Sequence, residues 1–344
     1  MRKSVAAALA VVLSCIAPGA FPQQRTLVLS TFGINQPLFD KHLYAPFKAK
    51  CNCDIVFDVG NASERLAKME ARKDNPVVDV AAFPDYTALE AQQKSLIQPL
   101  DTTRLGNISL LYDFAKNPVG TGKENFGVGY TVYSTSIVYR SDKIEIKSWK
   151  DLFRPELKGR IALPNITVSQ GPLLLFMLDR VLGGQGNQFD TGFHKLAELK
   201  PNVLTFYEPT PLPATLFAQD EIYATVIGRW AWPGLLRTKK PLKWAAPVEG
   251  QTGGLNLLTL VKGSKNAALV HEFINFWLST EVQTGLARDL VDSPTNKEVR
   301  LAPEQAELMT FGQEQVNAIQ FLPPGTLLKE RAGWVEKWNS RIAR

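Results

Sequence analysis

Short apolar segments alternate with amphipathic segments along most of the chain. Segments typical of β-strands lie at 26–30, 54–59, 77–82, 160–163, 203–206, 224–227 and 256–261. Segments with the helical spacing of apolar residues lie at 61–72, 86–95, 171–182, 189–199, 267–278 and 329–341. This alternation predicts an α/β fold with a layered sheet, in which ligands bind beyond the carboxyl ends of the strands.

One helical segment contains a proline. Phe39, Leu43 and Phe47 recur at every fourth position, which places them on one face of a helix. Pro46 has no amide hydrogen to continue that helix. The segment is therefore expected to form two short helices.

Two further patterns mark the beginning of a helix and a long β-rich region. Asn61 stands three residues before Glu64, a capping-box arrangement that predicts a helix through Arg72. The β-rich segments 126–132 and 136–140 follow one another closely. They stand between the first set of strand and helix patterns and the second.

Residues 1–22 carry the pattern of a secretory signal peptide. Arg2 and Lys3 precede an apolar stretch from Val5 to Ile16, and small residues follow it. A stretch of about a dozen residues is too short to cross a bilayer as a helix, which takes roughly 20. The sequence therefore predicts cleavage, export and a periplasmic location.

The 3 cysteines exclude a disulfide-rich scaffold. Cys15 offers an alternative location, because it could anchor the chain as a lipoprotein, but Val12 stands where a lipobox has leucine. Cys51 and Cys53 are compatible with a disulfide or with two free thiols, since side chains two apart on a strand share a face only loosely. No spaced histidines accompany them, so no metal site is predicted.

Composition and charge narrow the class of protein. The chain has 344 residues, of which 45% are hydrophobic and 21% charged, so a disordered chain and a coiled coil are excluded. This length favours two lobes over a single core. The net charge of +6 is spread along the chain, with no basic cluster longer than Lys239–Lys240. A nucleic-acid partner is therefore not predicted.

The sequence lacks the motifs of a secreted hydrolase. It has 3 histidines and contains neither His-Glu-x-x-His nor Gly-x-Ser-x-Gly. The Gly122–Lys123 pair lacks the other residues of a phosphate-binding loop. These absences favour a protein that binds a small molecule without reaction, with no enzyme activity and no cofactor.

Three segments carry a resemblance to a known family. Residues 148–160, SWKDLFRPELKGR, resemble the SW-x-DL-x-x-P-E-x-K-G segment of the spermidine/putrescine-binding-like (family 1) extracellular solute-binding proteins of ABC transporters. Residues 265–278 are similar to a late helix of that family, and 294–296 to its P-T-N turn. The order and spacing of these segments agree over nearly the whole chain after the signal segment.

The resemblance implies a two-lobed periplasmic binding protein fold of type II, with the ligand cleft between the lobes and crossing strands at the hinge. The first lobe would comprise 25–133 plus 258–300, and the second 134–257 plus 301–344. The family's partners are the membrane permease and the ATPase of an importer, and the chain is expected to act as a monomer. Presenting the closed form to a receptor, as a periplasmic sensor subunit, is an alternative that the sequence does not separate from transport.

Loops that follow strands are expected to line the cleft. Candidate ligand-binding residues in these loops and at the crossing strands are Thr31, Phe32, Asn61, Ser63, Phe83, Asp85, Tyr133, Ser134, Thr135, Asn165, Ser169, Tyr207, Arg229, Trp230 and Asn256.

The ligand class follows from charge at these positions. The family's polyamine binders enclose ammonium groups with acids, but segments 164–168 and 254–257 contain no carboxylate. An enclosed ammonium without a partner costs several kcal/mol. Polyamine therefore stays the alternative ligand, supported by Asp85 and Glu208.

Arg229 leads to the preferred hypothesis. A guanidinium in this loop suits a carboxylate or phosphonate, which it can bind through two parallel hydrogen bonds. Trp230, Trp232 and Tyr133 could pack the apolar body of such a ligand. The sequence therefore predicts a small organic or amino-acid-like anion as ligand.

Overall fold

The computed structural model describes residues 25–208 and 211–343. The predicted signal peptide and Cys15 lie outside the described residues. The strands are β1 (Arg25–Thr31), β2 (Cys53–Val59), β3 (Val80–Pro84), β4 (Ile97–Gln98), β5 (Val128–Arg140), β6 (Ile161–Pro164), β7 (Val203–Tyr207), β8 (Ala224–Gly228), β9 (Leu242–Trp244), β10 (Gln251–Val261) and β11 (Ile319–Phe321).

The α-helices follow the predicted alternation. They are α1 (Gln36–Phe39), α2 (Ala45–Cys51), α3 (Ala62–Ala71), α4 (Asp85–Gln93), α5 (Asp113–Lys116), α6 (Gln170–Val181), α7 (Asp190–Leu199), α8 (Leu212–Ala218), α9 (Trp232–Leu236), α10 (Ala267–Trp277), α11 (Thr280–Arg288), α12 (Pro303–Ala306), α13 (Gln313–Asn317) and α14 (Pro324–Arg341). No helix in the described part of the chain is both long and apolar enough to cross a bilayer.

One mixed sheet runs through the molecule in the order β2-β1-β3-β10-β5-β8-β6-β7. At one end β1, β2 and β3 are parallel, and at the other end β6, β7 and β8 are parallel. The long antiparallel strands β5 and β10 join these two parts. The prediction of an α/β, two-lobed fold is confirmed.

The hydrophobic cores divide in the same way. Two clusters of buried side chains are built mainly from 27–132 and 255–286, and two others mainly from 137–245 and 322–342. Leu255, Leu257 and Ile319 pack in a cluster of the first group. The residues at which the chain passes from one lobe to the other stay a prediction.

The segment contains two short α-helices, α1 and α2, as predicted, and Pro46 stands in the first turn of α2; the chain between them nevertheless stays helical from 36 to 51. The segment Asp40–Tyr44 widens into a π-helical turn, in which the amide of Ala45 donates to the carbonyl of Asp40. The wider turn accommodates the missing amide hydrogen of Pro46 without breaking the helix. Phe47 and Leu43 are buried as the pattern required.

The capping box is present as predicted. The amide of Glu64 donates to Asn61 Oδ1 at 2.9 Å, and the amide of Asn61 donates to Glu64 Oε2 at 3.3 Å. The two adjacent β-rich segments, however, form the single strand β5. Its residues between the two segments are all paired with β10, and Thr135 also pairs with Gly228 of β8.

Cys51 and Cys53 are joined by a disulfide, with their Cα atoms 5.2 Å apart. The two residues do not share a strand, because Cys51 ends α2 and Cys53 begins β2. Asn52 between them has a left-handed backbone (φ 48°), which turns the two side chains toward one another.

Candidate functional site

The sequence-predicted residues lie where two sets of parallel strands end. Thr31, Val59 and Pro84 end β1, β2 and β3, and Pro164, Tyr207 and Gly228 end β6, β7 and β8. The crossing strands β5 and β10 lie between the two sets. Carboxyl ends of parallel strands leave room for a ligand beyond the sheet, so both lobes present loops toward the crossing strands.

Asp85 is the first residue of α4 and lies beside β10. Its carboxylate accepts the amide of Tyr86 at 2.7 Å and is also hydrogen-bonded by the amide of Leu255. Only 8% of the residue is exposed, and no cation of the described chain lies within salt-bridge distance of it. Burial raises the pKa of Asp85 to about 7, although the amide hydrogen bonds oppose that shift. A buried acid with an unsatisfied charge therefore faces the crossing strands.

Tyr133 and Asn256 stand next to Asp85 on the crossing strands. Tyr133 pairs with Gly254, and its ring crosses the space that a side chain at Gly254 would take. Asn256 is half-buried and pairs with both Thr131 and Pro84, the residue before Asp85. Burial raises the pKa of the Tyr133 phenol, and the negative charge of the nearby Asp85 raises it further.

Arg331 of α14 reaches this region from the other lobe and was missed by sequence reasoning. Its guanidinium carbon lies 5.9 Å from the ring centroid of Tyr86, and Nη2 donates to the carbonyl of Thr167 at 3.5 Å. No carboxylate of the described residues lies within 4 Å of it. Arg331, which has no acidic partner among the described residues, and Asp85 thus both lie next to Tyr86.

A second arginine fixes the loop after β1. The Arg65 guanidinium lies 4.6 Å from the ring of Phe32 and 4.8 Å from that of Phe83. Its Nε donates to the carbonyl of Gly60 at 3.0 Å, and Nη1 donates to Ser30 Oγ at 3.3 Å. Phe32 and Phe83, two of the predicted residues, are thereby brought together around a buried cation.

The predicted residues at the beginning of α3 have separate roles. Asn61 caps the helix through Glu64, which commits its carbonyl oxygen. Ser63 lines a cavity of about 220 Å³ that also includes Tyr86 and Arg331. Ser63 is therefore near the Asp85 region, whereas Asn61 positions the helix.

Thr31, the last residue of β1, belongs to a set of buried polar side chains. It lies near Tyr44, whose buried hydroxyl has no hydrogen-bond partner among the described residues, and burial together with the nearby Asp292 raises the pKa of that phenol. Burial raises the pKa of Asp292 to about 7, and its Oδ2 has no hydrogen-bond partner in the described chain. This group is polar and only partly satisfied, as expected near a ligand site.

Ser134 and Thr135 are fully buried on β5. The hydroxyl of Ser134 pairs with Thr310 Oγ1 at 2.8 Å, and its amide donates to the same atom at 3.0 Å. Thr135 Oγ1 is buried without a hydrogen-bond partner in the described part of the molecule. Because side chains alternate along a strand, Ser134 lies on the opposite face from Tyr133.

The predicted residues Asn165, Ser169 and Tyr207 of the second lobe have different surroundings. Asn165 Oδ1 accepts the amide and the hydroxyl of Thr167, each at 3.1 Å, and so orders the loop before α6. Ser169 stands at the beginning of α6 without a side-chain capping bond. Tyr207 is buried in the core, where its hydroxyl donates to the carbonyl of Val226 at 2.7 Å. The hydrophobic core thus takes Tyr207 away from the cleft.

Arg229 differs from the expectation as well. Its guanidinium carbon lies 4.5 Å from the ring of Trp244 and 6.0 Å from that of Trp232, and Nη2 donates to the carbonyl of Glu307. Arg229 lines a cavity whose walls do not include Asp85, and its role in ligand binding stays a prediction. Trp230, by contrast, folds over Gly228 and is 52% exposed.

No metal site accompanies these residues. The described residues contain no group of three or more histidine, cysteine, aspartate or glutamate side chains placed to hold a metal ion. His271 accepts the amide of Asp101 through Nε2 at 2.9 Å, and its Nδ1 pairs with the carbonyl of Ala267. Its role is to join α10 to the loop after β4.

Comparisons with known proteins agree with one another. A family model described as bacterial extracellular solute-binding protein matches residues 42–311. The chain is 24% identical over 280 residues to the spermidine/putrescine-binding periplasmic protein of Escherichia coli, covering 78% of each chain. It is 25% identical over 295 residues to a gamma-aminobutyric acid-binding protein of Pseudomonas aeruginosa, covering 82% of this chain and 80% of the relative.

A solved structure is similar over nearly the whole fold. A crystal structure of an ABC transporter protein from Clostridium perfringens superimposes with a TM-score of 0.85 and 33% sequence identity. The match covers 92% of this chain and 99% of that one. These three proteins are named for binding or transport.

Proposed function

Because this chain belongs to the bacterial extracellular solute-binding proteins, we propose that it is the substrate-binding component of an ABC importer for a small amino-acid-like molecule. The ligand carries an ammonium group and an acidic group, a carboxylate or a phosphonate. It binds in the periplasm between the two lobes and is released to the permease and its ATPase without reaction.

The observation that carries this proposal is the buried carboxylate of Asp85. It receives amide hydrogen bonds but has no cation within salt-bridge distance among the described residues. Burying a charge without a partner is costly, so the site is complete only when a positive group arrives. An ammonium beside Asp85 and the ring of Tyr133 would supply that charge.

The acidic end of the ligand is assigned to Arg331. This guanidinium lies beside Tyr86, whose amide is bound to Asp85, and has no acidic partner in the described chain. A ligand that spans Asp85 and Arg331 would satisfy both charges with one molecule. Arg331 therefore replaces Arg229 in the anion hypothesis drawn from the sequence.

Lobe closure follows from this arrangement. Asp85 and Tyr86 belong to α4 in the proposed first lobe, 25–133 plus 258–300, whereas Arg331 belongs to α14 in the proposed second lobe, 134–257 plus 301–344. A ligand that contacts both stabilises the state in which the lobes are close. One monomer contains both charged groups, so no second copy is required.

A polyamine is the second candidate ligand. The unpaired Asp85 favours it, and relatives are named for binding spermidine, putrescine and cadaverine. It would leave Arg331 facing a second ammonium, which is unfavourable. The two candidates therefore differ in the role of Arg331.

The test uses three four-carbon ligands that differ only in their end groups. Binding of 4-aminobutyrate, putrescine and succinate is measured by isothermal titration calorimetry with the wild type, Asp85→Asn and Arg331→Gln. We expect 4-aminobutyrate to bind most tightly and both substitutions to weaken it by at least about tenfold, the effect of one lost charge-assisted contact. Mass spectrometry should recover the ligand unchanged.

Other outcomes would contradict the proposal in identifiable ways. Tightest binding of putrescine, improved by Arg331→Gln, would establish the polyamine alternative. Binding of succinate alone, unaffected by Asp85→Asn, would refute an ammonium at Asp85. A chemically altered ligand would show that the protein is an enzyme.

A further inference from the structure

A second cavity lies in the second lobe, away from Asp85. It measures about 570 Å³ and is enclosed by α9, β9 and the segment 307–318. Its walls are largely apolar and include Trp232, Leu242 and Leu308. The solute site proposed above uses none of the residues that line it.

The alternation of side chains along β5 separates the two sites. Trp244 pairs with Val138. Val138 and Trp232 belong to one hydrophobic cluster, and Trp244 packs against it. Val138 and Ser134 share one face of β5, whereas Tyr133 points to the other. The cavity therefore lies on the face of β5 opposite to the face that carries Tyr133 and the Asp85 site.

Arg229 gives this cavity a polar end. The residue is only 6% exposed, and its guanidinium is stacked against Trp244 with 4.5 Å between the guanidinium carbon and the ring centroid. Nη2 donates to the carbonyl of Glu307, but the buried Nε has no hydrogen-bond partner among the described residues. Gln315 Oε1, from the opposite wall, is also buried and unpaired.

Unpaired buried donors of this kind carry a cost that a ligand can remove. A buried N–H group without an acceptor costs about 1–3 kcal/mol, and more when it is charged. Burial lowers the pKa of Arg229 to about 10, so the group remains a cation at neutral pH. An anionic oxygen is the acceptor that completes a guanidinium, and the two indoles and leucines suit an apolar body.

We infer that this cavity binds an apolar monocarboxylate, with its acid group on Arg229 and its hydrocarbon or aromatic part between Trp232 and Trp244. The site is distinct from the cleft and does not depend on the proposed solute. Three other charged residues line it, and one of them, Glu314, is a second acid that opposes an anion. Lys243 lines one wall and favours an anion, whereas the nearby carboxylate of Glu307 opposes one.

Phenylacetate and its uncharged isostere phenylacetamide are the probes that test this inference. Their affinities are measured by isothermal titration calorimetry with the wild type, Arg229→Gln and Arg237→Gln. Arg237 is an exposed arginine directly after α9, outside the cavity, and serves as the matched control. We expect phenylacetate to bind at least tenfold more tightly than phenylacetamide, and Arg229→Gln to remove that difference while Arg237→Gln preserves it.

Two further variants keep the result independent of folding. Glu307→Gln removes one of the two opposing charges and should tighten phenylacetate binding by about two- to threefold, a gain that misfolding cannot produce. Arg331→Gln should leave phenylacetate binding unchanged. The inference is overturned if phenylacetate does not bind, if its binding survives Arg229→Gln, or if Arg331→Gln abolishes it, since the last result would place phenylacetate in the cleft.

Discussion

At the scale of single residues, four buried charged groups stand out because the fold does not fully satisfy them. Asp85 and Asp292 are buried acids with raised pKa values, and Arg65 and Arg229 each have a buried N–H without a partner in the described chain. Groups of this kind reduce the free energy of unfolding. Three of the four lie at the ends of the strands β1, β3 and β8 or beside them, which links them to binding rather than to stability.

The pH dependence of Asp85 gives the first prediction. Its pKa in the folded state is about 7, above the value of 3.8 for an exposed carboxyl, so the folded protein holds a proton that the unfolded chain releases. Its contribution to stability is therefore present below about pH 4 and is lost as the pH rises to about 7. We expect Asp85→Asn to raise the free energy of unfolding at pH 8 by roughly 1–2 kcal/mol, with no effect at pH 4.

Denaturation with urea at both pH values measures this effect. Asp292→Asn is measured in parallel. The pKa of Asp292 is also raised, so this substitution should reduce the pH dependence of the free energy of unfolding over the same pH range. Equal effects of Asp85→Asn at the two pH values would contradict the assignment.

Ligand affinity should depend on pH in the opposite sense. An ammonium ligand needs Asp85 ionised, so binding of 4-aminobutyrate should be roughly tenfold or more weaker at pH 5.5 than at pH 8. Calorimetry in two buffers of different ionisation enthalpy would also show a proton released on binding near pH 7. An affinity that rises as the pH falls would exclude an ionic contact with Asp85.

At the scale of elements, local patterns predicted most of the fold. The capping box of α3 and the strand β3, which follows α3 along the chain, could be derived from neighbouring residues alone. The short strands β4, β9 and β11 could not, because each of two or three residues is held only by pairing with β5 or β10. The continuity of β5 likewise comes from its partners, since Tyr133 and Thr135 pair with residues more than 90 positions away.

The residues of the candidate site likewise divide into those that local sequence predicts and those that depend on tertiary packing. Asp85, Tyr133 and Asn256 were found because they follow or interrupt apolar strands. Arg331 and Arg65 were missed, because each stands on a helix and its position in the site depends on how that helix packs. Arg331 falls within the predicted helix 329–341, but no sequence pattern shows that this helix reaches α4.

The contact between β10 and Tyr133 gives a prediction at this scale. A Cβ atom at Gly254 would overlap the Tyr133 ring. We expect Gly254→Ala to displace that ring, to lower the free energy of unfolding by about 1–3 kcal/mol and to weaken solute binding. In a Tyr133→Ala background the same substitution should cost much less, which a double-mutant cycle of urea denaturation measures. Equal costs in the two backgrounds would show that Tyr133 is not the residue displaced.

At the scale of the whole molecule, two crossing strands join two parts that have separate hydrophobic cores. The hydrophobic clusters of the lobes are separate, and β5 and β10 pass between them. Contacts between α14 and α4 connect the lobes on the side of Arg331. Under the proposed function, a ligand that bridges these helices would change the distance between the lobes without repacking either core.

Small-angle scattering measures this change directly. We expect the radius of gyration to decrease when 4-aminobutyrate is added to saturation, and Arg331→Gln to reduce that decrease because the second lobe then loses its charged contact. Phenylacetate, bound behind β5, should produce no such decrease. An unchanged radius of gyration with saturated wild type would exclude closure.

The exposed indole of Trp230 has an optical consequence. The other six tryptophans are buried or half-buried, so their emission is already that of an apolar or partly apolar environment. If the lobes approach one another, Trp230 is the fluorophore whose surroundings change most, and its emission should shift to shorter wavelengths. The chain would thus carry a spectroscopic reporter of its own occupancy, and Trp230→Phe should silence the signal while leaving the scattering change in place.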